Sequence, residues 1–146
     1  MRLGIDTNVL LMAHLPTLDA HERVSAYHTR VLSDSGTSVC IPPYVLNEFM
    51  FIVTSRKRFE HALSIKKAVR IARAYADAGN VEIIPECQES ISLALEMMKT
   101  HGLGRRRIGD TMIAASLIAA GIQHLVTTNP RDFRIFSQFT LLDPLA

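Results

Sequence analysis

Short apolar segments alternate along the chain with longer segments in which apolar residues recur every three or four positions. The short segments predict strands, and the periodic ones predict helices. The predicted strands are 2–5, 38–42, 81–85, 124–128 and 139–142, and the predicted helices are 19–34, 42–56, 62–78, 87–101 and 110–120. Strands separated by helices are typical of an α/β fold. We therefore expect a mostly parallel central β-sheet of four to five strands, flanked by helices on both faces.

Composition narrows the class of protein. The 146 residues, 48% of them hydrophobic, predict one globular domain over 1–146. The longest nearly apolar run, 112–122, is shorter than the roughly 20 residues that a membrane span needs. No signal-peptide pattern opens the chain, so we expect a cytoplasmic protein without a membrane segment. Cys40 and Cys87 form no C-x-x-C pair, which argues against a disulfide framework and a zinc motif.

Polar residues follow two of the predicted strands. Asp6 comes directly after the first strand and before the apolar run 9–12, and Asn129 and Asp132 follow the fourth strand. Ionised carboxylates are rarely placed beside a core without a partner. Because parallel sheets bind ligands at the carboxyl ends of their strands, these side chains indicate a functional edge. Whether Asn129 or Asp132 turns an oxygen toward that edge stays open, since this segment is also typical of a turn.

Two more carboxylates share apolar helical faces. Glu48 lies three residues after Val45 and four before Ile52, so it shares the apolar face of its helix. The alternative is that Glu48 lies at the margin of this face and pairs with an arginine. Asp110 opens the last predicted helix, where aspartate is a good N-cap. Its spacing from the apolar residues of that helix also lets its side chain project along the buried seam. Both carboxylates are therefore candidates for the same site.

Several carboxylates at one edge would repel each other unless a cation lay between them. Oxygen donors favour Mg²⁺ or Mn²⁺, and the six histidines form no zinc-binding pattern. A divalent cation held in this way generates a nucleophile from water and stabilises charge on a phosphate. Hydrolysis of a phosphodiester or a phosphomonoester is therefore the reaction class that these residues favour.

Two other phosphate motifs are incomplete. The frame G-x-x-x-x-G at 104–109 is followed by Asp110 where a nucleotide-binding loop carries lysine, so a nucleoside-triphosphate site is disfavoured. The segment "DTN" at 6–8 resembles the opening of haloacid-dehalogenase-type phosphatases, but Asn8 occupies the place of their general acid. A magnesium-dependent phosphatase is therefore the weaker interpretation.

Four segments together resemble a known family: "IDTNVLL" at 5–11, "PPYVLNEF" at 42–49, "IGDTMIAASLIAAG" at 108–121 and "LVTTNPRDF" at 125–133. In this order and spacing they resemble PIN-domain proteins, and among these they are most similar to the single-domain VapC-type toxins of bacterial toxin–antitoxin pairs. The resemblance spans essentially the whole chain. It implies an endoribonuclease, a hydrolase that cleaves RNA phosphodiesters with Mg²⁺ or Mn²⁺, using one or two ions per site.

The resemblance also implies roles for individual residues. Asp6, Glu48 and Asp110 match the family's acidic residues, which bind the metal and catalyse the reaction. Asn129 matches the family's fourth catalytic position. Polar neighbours are expected to orient these groups, namely Thr7, Asn8, Thr127 and Asp132.

Basic residues precede one of these acids. Arg105, Arg106 and Arg107 come just before Asp110, where we expect them to bind RNA phosphates and to offset the repulsion between the acidic site and RNA. The partners implied by the resemblance are RNA, a cognate antitoxin and a second copy of the chain in a homodimer, with docking on the helical region 44–76. A catalytically silent PIN-fold binding module is the alternative, and the intact acidic set disfavours it.

Overall fold

All residues, 1–146, are described by a computed structural model of the chain. The chain forms five strands, seven α-helices and one short 3₁₀ turn. None of the helices combines the length and the apolar character that crossing a bilayer requires. In chain order the elements are β1 (Arg2–Ile5), α1 (Thr7–His14), α2 (His21–Ser33), β2 (Ser38–Ile41), α3 (Pro43–Val53), α4 (Ile65–Asp77), β3 (Val81–Ile83), α5 (Gln88–His101), the 3₁₀ turn (Arg105–Arg107), α6 (Ile108–Ala119), β4 (His124–Val126), α7 (Pro130–Phe133) and β5 (Thr140–Leu142).

The five strands form one all-parallel sheet in the order β3-β2-β1-β4-β5. β1 is the central strand, because Gly4 pairs with Cys40 of β2 on one side and with Leu125 of β4 on the other. This sheet confirms the predicted α/β fold. Since the chain adds strands first on one side of β1 and then on the other, the carboxyl ends of β1 and β4 flank the crevice where such sheets bind ligands.

Two helices lie where the hydrophobic pattern predicted none. In α1, the consecutive residues Val9, Leu10 and Leu11 are all buried. No regular polar face is left whose period would distinguish this segment from a strand. α7 has four residues and is too short for any periodicity to appear. The predicted helices are all present, with ends shifted by a few residues.

α6 lies directly against the central strand because β1 carries Gly4. A Cβ at this position would lie 2.6 Å from Cδ1 of Leu117 on α6. The inward residues of α6 are fully buried, as its almost uniformly apolar sequence requires. Gly4 therefore permits the C-terminal half of α6 to lie close to β1.

A buried polar cluster joins α1, α2 and α4. The Tyr75 hydroxyl lies 2.6 Å from Nε2 of His14 and 2.5 Å from Nε2 of His28. A tyrosine hydroxyl carries one proton, so it donates to one ring and accepts from the other. Burial lowers the pKa of both histidines, that of His28 to about 4, and raises the pKa of Tyr75. All three groups are therefore neutral at neutral pH, and their hydrogen bonds stabilise the packing of three helices.

Removing this shared hydroxyl should destabilise the fold. In Tyr75→Phe both histidine rings lose their partner, and we expect the free energy of unfolding to fall by about 2 kcal/mol, the cost of orphaned buried polar groups. Tyr27→Phe is the matched control, because Tyr27 is only half-buried and should change stability by less than about 0.5 kcal/mol. Urea unfolding at neutral pH measures both variants. Equal stability of the two would contradict the role assigned to the shared hydroxyl.

Candidate active site

The carboxyl end of β1 carries Asp6. Its backbone is extended, and its N–H donates to the carbonyl of Val126 on β4 at 3.0 Å, which continues the sheet by one residue. The side chain is 2% exposed and does not cap α1. Instead, its Oδ2 accepts a hydrogen bond of 2.9 Å from the hydroxyl of Thr127, the residue after β4. Asp6 and Thr127 therefore meet in the crevice between β1 and β4.

The surroundings of Asp6 disfavour its negative charge. Burial raises the pKa of Asp6 to about 7, and the charges of Asp110 and Glu48 add to this increase. Hydrogen bonds from the Thr127 hydroxyl and from the backbone N–H of Thr7 lower the pKa without cancelling the increase. A carboxylate buried among other carboxylates is stabilised by an added cation. The electrostatics of the site therefore favour a bound metal.

Glu48 reaches the site from α3. Its side chain is half-buried, and its Oε2 accepts a hydrogen bond of 3.4 Å from the hydroxyl of Tyr44, one turn earlier. α6 approaches this pair because it carries Gly109, where a Cβ would lie 2.8 Å from the Tyr44 hydroxyl and 3.3 Å from Oε2 of Glu48. Glycine at this position therefore lets the two helices come so close that the charge of Glu48 acts on Asp110.

Asp110 lies in the first turn of α6 and is not its N-cap. The cap residue is Arg107 and the helix begins at Ile108, so the N-cap alternative is wrong. Oδ2 of Asp110 lies 3.5 Å from Nε of Arg107. Burial raises the pKa of Asp110 to about 6, and the positive charge of Arg107 limits an increase to which Asp132 and Glu48 also contribute. Asp110 therefore belongs to the same electrostatic cluster as the carboxylate at the end of β1.

Asn129 and Asp132 form one hydrogen-bonded unit after β4. Nδ2 of Asn129 donates to Oδ2 of Asp132 at 2.5 Å. The backbone N–H of Asn129 donates to the Thr127 hydroxyl at 3.0 Å, and that hydroxyl donates to Asp6. Both residues therefore bear on the site in different ways. Asn129 supports the hydrogen bond from Thr127 to Asp6, and the charge of Asp132 acts on Asp110.

Thr7 and Asn8 lie in the first turn of α1, next to Asp6. Thr7 acts on Asp6 through its backbone N–H, while the Thr7 hydroxyl is buried and has no hydrogen-bond partner. Asn8 is half-buried. Among the polar neighbours expected to orient Asp6, the structure therefore brings Thr127 and Thr7 to its carboxylate and shows no hydrogen bond from Asn8 to it.

The donor set fits a hard divalent cation. All the candidate ligands are oxygens, the charge of Asp6 is poorly compensated, and the neighbouring Thr7 contributes an orphaned hydroxyl. No three His, Cys, Asp or Glu side chains are close enough to surround one ion together. Mg²⁺ is usually bound through one or two carboxylates, with waters and substrate phosphates completing its shell. The residues therefore suit a cation held by Asp6 and a second carboxylate, not a closed cage of three.

The three consecutive arginines differ in their surroundings. Arg105 and Arg106 are exposed, and residues 104–107 line a surface depression of about 620 Å³. Arg107 is half-buried, and its Nη2 donates to the backbone carbonyl of Asp132. Two members of the run are therefore available to a ligand, while the third is bonded to the site itself.

Two basic residues of this region, Arg131 and Arg134, were not predicted. Both are exposed, and together with Asn129 and Asp132 they line a second surface depression. In the sequence, both arginines lie in the segment "NPRDFR" at 129–134, which begins three residues after the end of β4. The acidic centre is thus bordered by two groups of exposed cations.

Known proteins share this fold and sequence pattern. A family model of the PIN domain matches residues 4–137. Ribonuclease VapC24 of Mycobacterium tuberculosis is 24% identical over 147 residues, which cover 98% of this chain and 97% of that protein. The family model covers all four segments that carry the resemblance, namely those around Asp6, Glu48, Asp110 and Asn129.

Three solved structures illustrate the shared fold. VapBC2 from Rickettsia felis, bound to a DNA fragment from its promoter, has a TM-score of 0.67 at 19% identity, covering 98% of each chain. The sarcin–ricin loop cleaving toxin VapC20 of Mycobacterium tuberculosis has a TM-score of 0.65 at 18% identity, covering 84% of this chain and 86% of that one. FitAcB from Neisseria gonorrhoeae has a TM-score of 0.65 at 21% identity, covering 98% of each chain. At these identities the likeness concerns the fold.

Neutralising Asp6 should stabilise the metal-free protein. The folded pKa of about 7 lies above the ordinary value of 3.8, so the wild type loses stability as the pH rises between these values. We expect Asp6→Asn to raise the free energy of unfolding by about 2 kcal/mol at about pH 8, and by much less at about pH 4. Urea unfolding in EDTA measures this, with the exposed Asp19→Asn as control. A lower stability of Asp6→Asn at the higher pH would refute the cost assigned to this charge.

Gly109→Ala should loosen the approach of α3 to α6. Alanine usually stabilises a helix by about 1 kcal/mol relative to glycine, but here its Cβ would displace the Tyr44 hydroxyl and Glu48. We expect a folded variant that binds Mn²⁺ several-fold more weakly in a calorimetric titration. Gly79→Ala is the matched control, because a Cβ at that position meets no neighbour. Equal Mn²⁺ affinity of the two variants would show that Gly109 does not set the position of Glu48.

Proposed function

Since the chain belongs to the PIN-domain family, whose model matches residues 4–137, we propose that it is a metal-dependent endoribonuclease and the toxin of a VapBC-type toxin–antitoxin pair. The observation that carries this proposal is the buried carboxylate of Asp6 at the end of the central strand. It lies close enough to Glu48 and Asp110 for their charges to raise its pKa. Such a cluster destabilises a fold unless it binds a cation, so its presence favours catalysis over a silent binding module.

The related proteins support the choice of RNA and of an antitoxin. The curated relative is named a ribonuclease, and VapC20 is described as a toxin that cleaves the sarcin–ricin loop. The structures from Rickettsia felis and Haemophilus influenzae are VapBC complexes, and one from Klebsiella pneumoniae is a toxin–antitoxin complex. An RNA substrate and a protein inhibitor are therefore the partners that we assign to this chain.

The acidic residues are proposed to hold Mg²⁺ or Mn²⁺. When bound, the cation would supply a nucleophilic water at neutral pH and stabilise charge on the scissile phosphate. Asp6 and a second carboxylate, that of Asp110 or Glu48, would hold the cation, and the remaining carboxylate would act on it through its bound waters. The Thr127 hydroxyl fixes Oδ2 of Asp6, and Asn129 fixes that hydroxyl in turn. The products expected from the family resemblance are a 5′-phosphate and a 3′-hydroxyl.

Exposed cations beside the acidic centre support the binding of a polyanion. Arg105 and Arg106 on one side, and Arg131 and Arg134 on the other, are free to contact phosphates. Contacts of this kind give an affinity that falls steeply with salt and does not depend on sequence. They also offset the repulsion between RNA and the carboxylates.

The surface of α3 and α4 is the proposed docking region for protein partners. Phe51 is 82% exposed, Ile65 64% and Val69 49%, values that are unusual for large apolar side chains. An apolar groove between the two helices reaches β3 at the edge of the sheet. We assign this region to the antitoxin and to a second copy of the chain, consistent with the helical region 44–76 expected from the sequence.

Cleavage of RNA by antitoxin-free protein tests the proposal. Labelled structured RNA is incubated with wild type in Mg²⁺, in Mn²⁺ and in EDTA, alongside Asp6→Asn and the control Asp19→Asn. We expect cleavage that requires the metal and falls on the order of 100-fold or more in Asp6→Asn, because a ligand of the cation is lost. Circular dichroism checks that each variant is folded.

Two outcomes would overturn the proposal in different ways. Full activity in Asp6→Asn would mean that the reaction does not centre on the end of β1. No cleavage by folded wild type with any metal, although Mn²⁺ binds, would favour a PIN-fold binding module. A phosphatase would instead release phosphate from small phosphomonoesters in the same buffers.

A further inference from the structure

The side chain of Arg107 connects two parts of the acidic site. It is 25% exposed, whereas Arg105 and Arg106 before it are exposed residues of the 3₁₀ turn. Its Nε lies 3.5 Å from Oδ2 of Asp110 in the first turn of α6, and its Nη2 donates to the backbone carbonyl of Asp132 in α7. The guanidinium group thus bridges Asp110 in α6 and Asp132 in α7, which are 22 residues apart in the sequence.

The backbone of Arg107 is also bonded to α6. Its carbonyl accepts a hydrogen bond of 2.6 Å from the fully buried hydroxyl of Thr111. The Nε atom is itself buried and makes no hydrogen bond, and the carboxylate of Asp110, 3.5 Å away, is its only ion-pair partner. Moving this side chain out to a substrate phosphate would leave the Asp132 carbonyl and the Asp110 carboxylate without their partner, which costs free energy.

Charge and shape both suit arginine at this position. Arg107 opposes the negative charges of Asp132 and Glu48 at Asp110. A planar guanidinium has several donors in a fixed arrangement, so it can serve a carboxylate and a carbonyl in two directions at once. Lysine would keep the charge but would not reproduce this geometry.

We propose that Arg107 is a positioning residue, which holds the segment that contains Asn129 and Asp132 against the first turn of α6, while Arg105 and Arg106 bind the phosphates of the substrate. Through Asn129 and Thr127 the same segment supports Asp6. The catalytic consequence rests on the proposed ribonuclease function. The positioning itself is a property of the protein free of RNA and metal, and is tested separately.

Amide hydrogen exchange of the metal-free protein tests the positioning. We expect residues 128–134 to exchange about tenfold faster in Arg107→Gln and also in Arg107→Lys, because lysine lacks the two-directional donors. Exchange of this segment should not change in Arg106→Gln, the matched neighbour. Exchange in β2 reports global stability, so a change confined to 128–134 identifies a local effect. Unchanged exchange of the segment in both Arg107 variants would overturn the proposal.

Steady-state cleavage of RNA at several salt concentrations tests the division among the arginines. We expect Arg107→Lys to lower kcat about tenfold with KM and its salt dependence unchanged. Arg105→Gln and Arg106→Gln should raise KM and reduce the slope of log affinity against log salt by about 0.7 for each lost contact. The exposed Arg70→Gln on α4 is the control for a charge lost elsewhere.

The results separate this inference from the proposed function. If Arg107→Lys changes KM and the salt slope as the two neighbours do, Arg107 binds phosphate and the positioning role is wrong. If wild type cleaves no RNA, the proposed function fails, and the exchange of residues 128–134 still decides whether Arg107 positions this segment.

Discussion

The burial of one carboxylate constrains the whole arrangement of the site. Asp6 ends the central strand, β2 and β4 cover the two edges of that strand, and α1 begins at the next residue, so water has little access to the group. A charge in such a place costs free energy, which the Thr127 hydroxyl reduces without removing. The poorly compensated charge of Asp6 therefore arises from the order of the strands and not from a local sequence motif.

Two glycines permit close packing of the elements around Asp6. Gly4 lets α6 approach β1, and Gly109 lets α3 approach α6. The carboxylates of Asp6, Glu48, Asp110 and Asp132 influence one another, and Arg107 is the cation that lies beside Asp110. Its charge lowers the pKa of Asp110 but is not among the influences that shift the pKa of Asp6. The charge of Asp110 is therefore partly compensated by Arg107, while that of Asp6, the most buried carboxylate, is relieved only by hydrogen bonds.

The parts of this site that the sequence predicted are those that disturb a hydrophobic pattern. Asp6 after a strand and Glu48 on an apolar face are visible as charged residues where apolar ones are expected. α1 was not predicted because its residues are apolar on nearly every side, which removes the period that distinguishes a helix. The capping role considered for Asp110 was wrong because the 3₁₀ turn Arg105–Arg107 leads directly into α6, so the helix has already begun.

The remaining features depend on partners that no local pattern identifies. Tyr75 joins two histidines from other helices, and Arg107 bonds to a backbone carbonyl that any residue at position 132 would offer. In the sequence, Arg105, Arg106 and Arg107 are equivalent cations beside an acidic residue. In the fold, the 3₁₀ turn exposes Arg105 and Arg106 and leaves Arg107 half-buried. A run of basic residues therefore predicts the total charge near a site, but not how many of those residues a polyanion can contact.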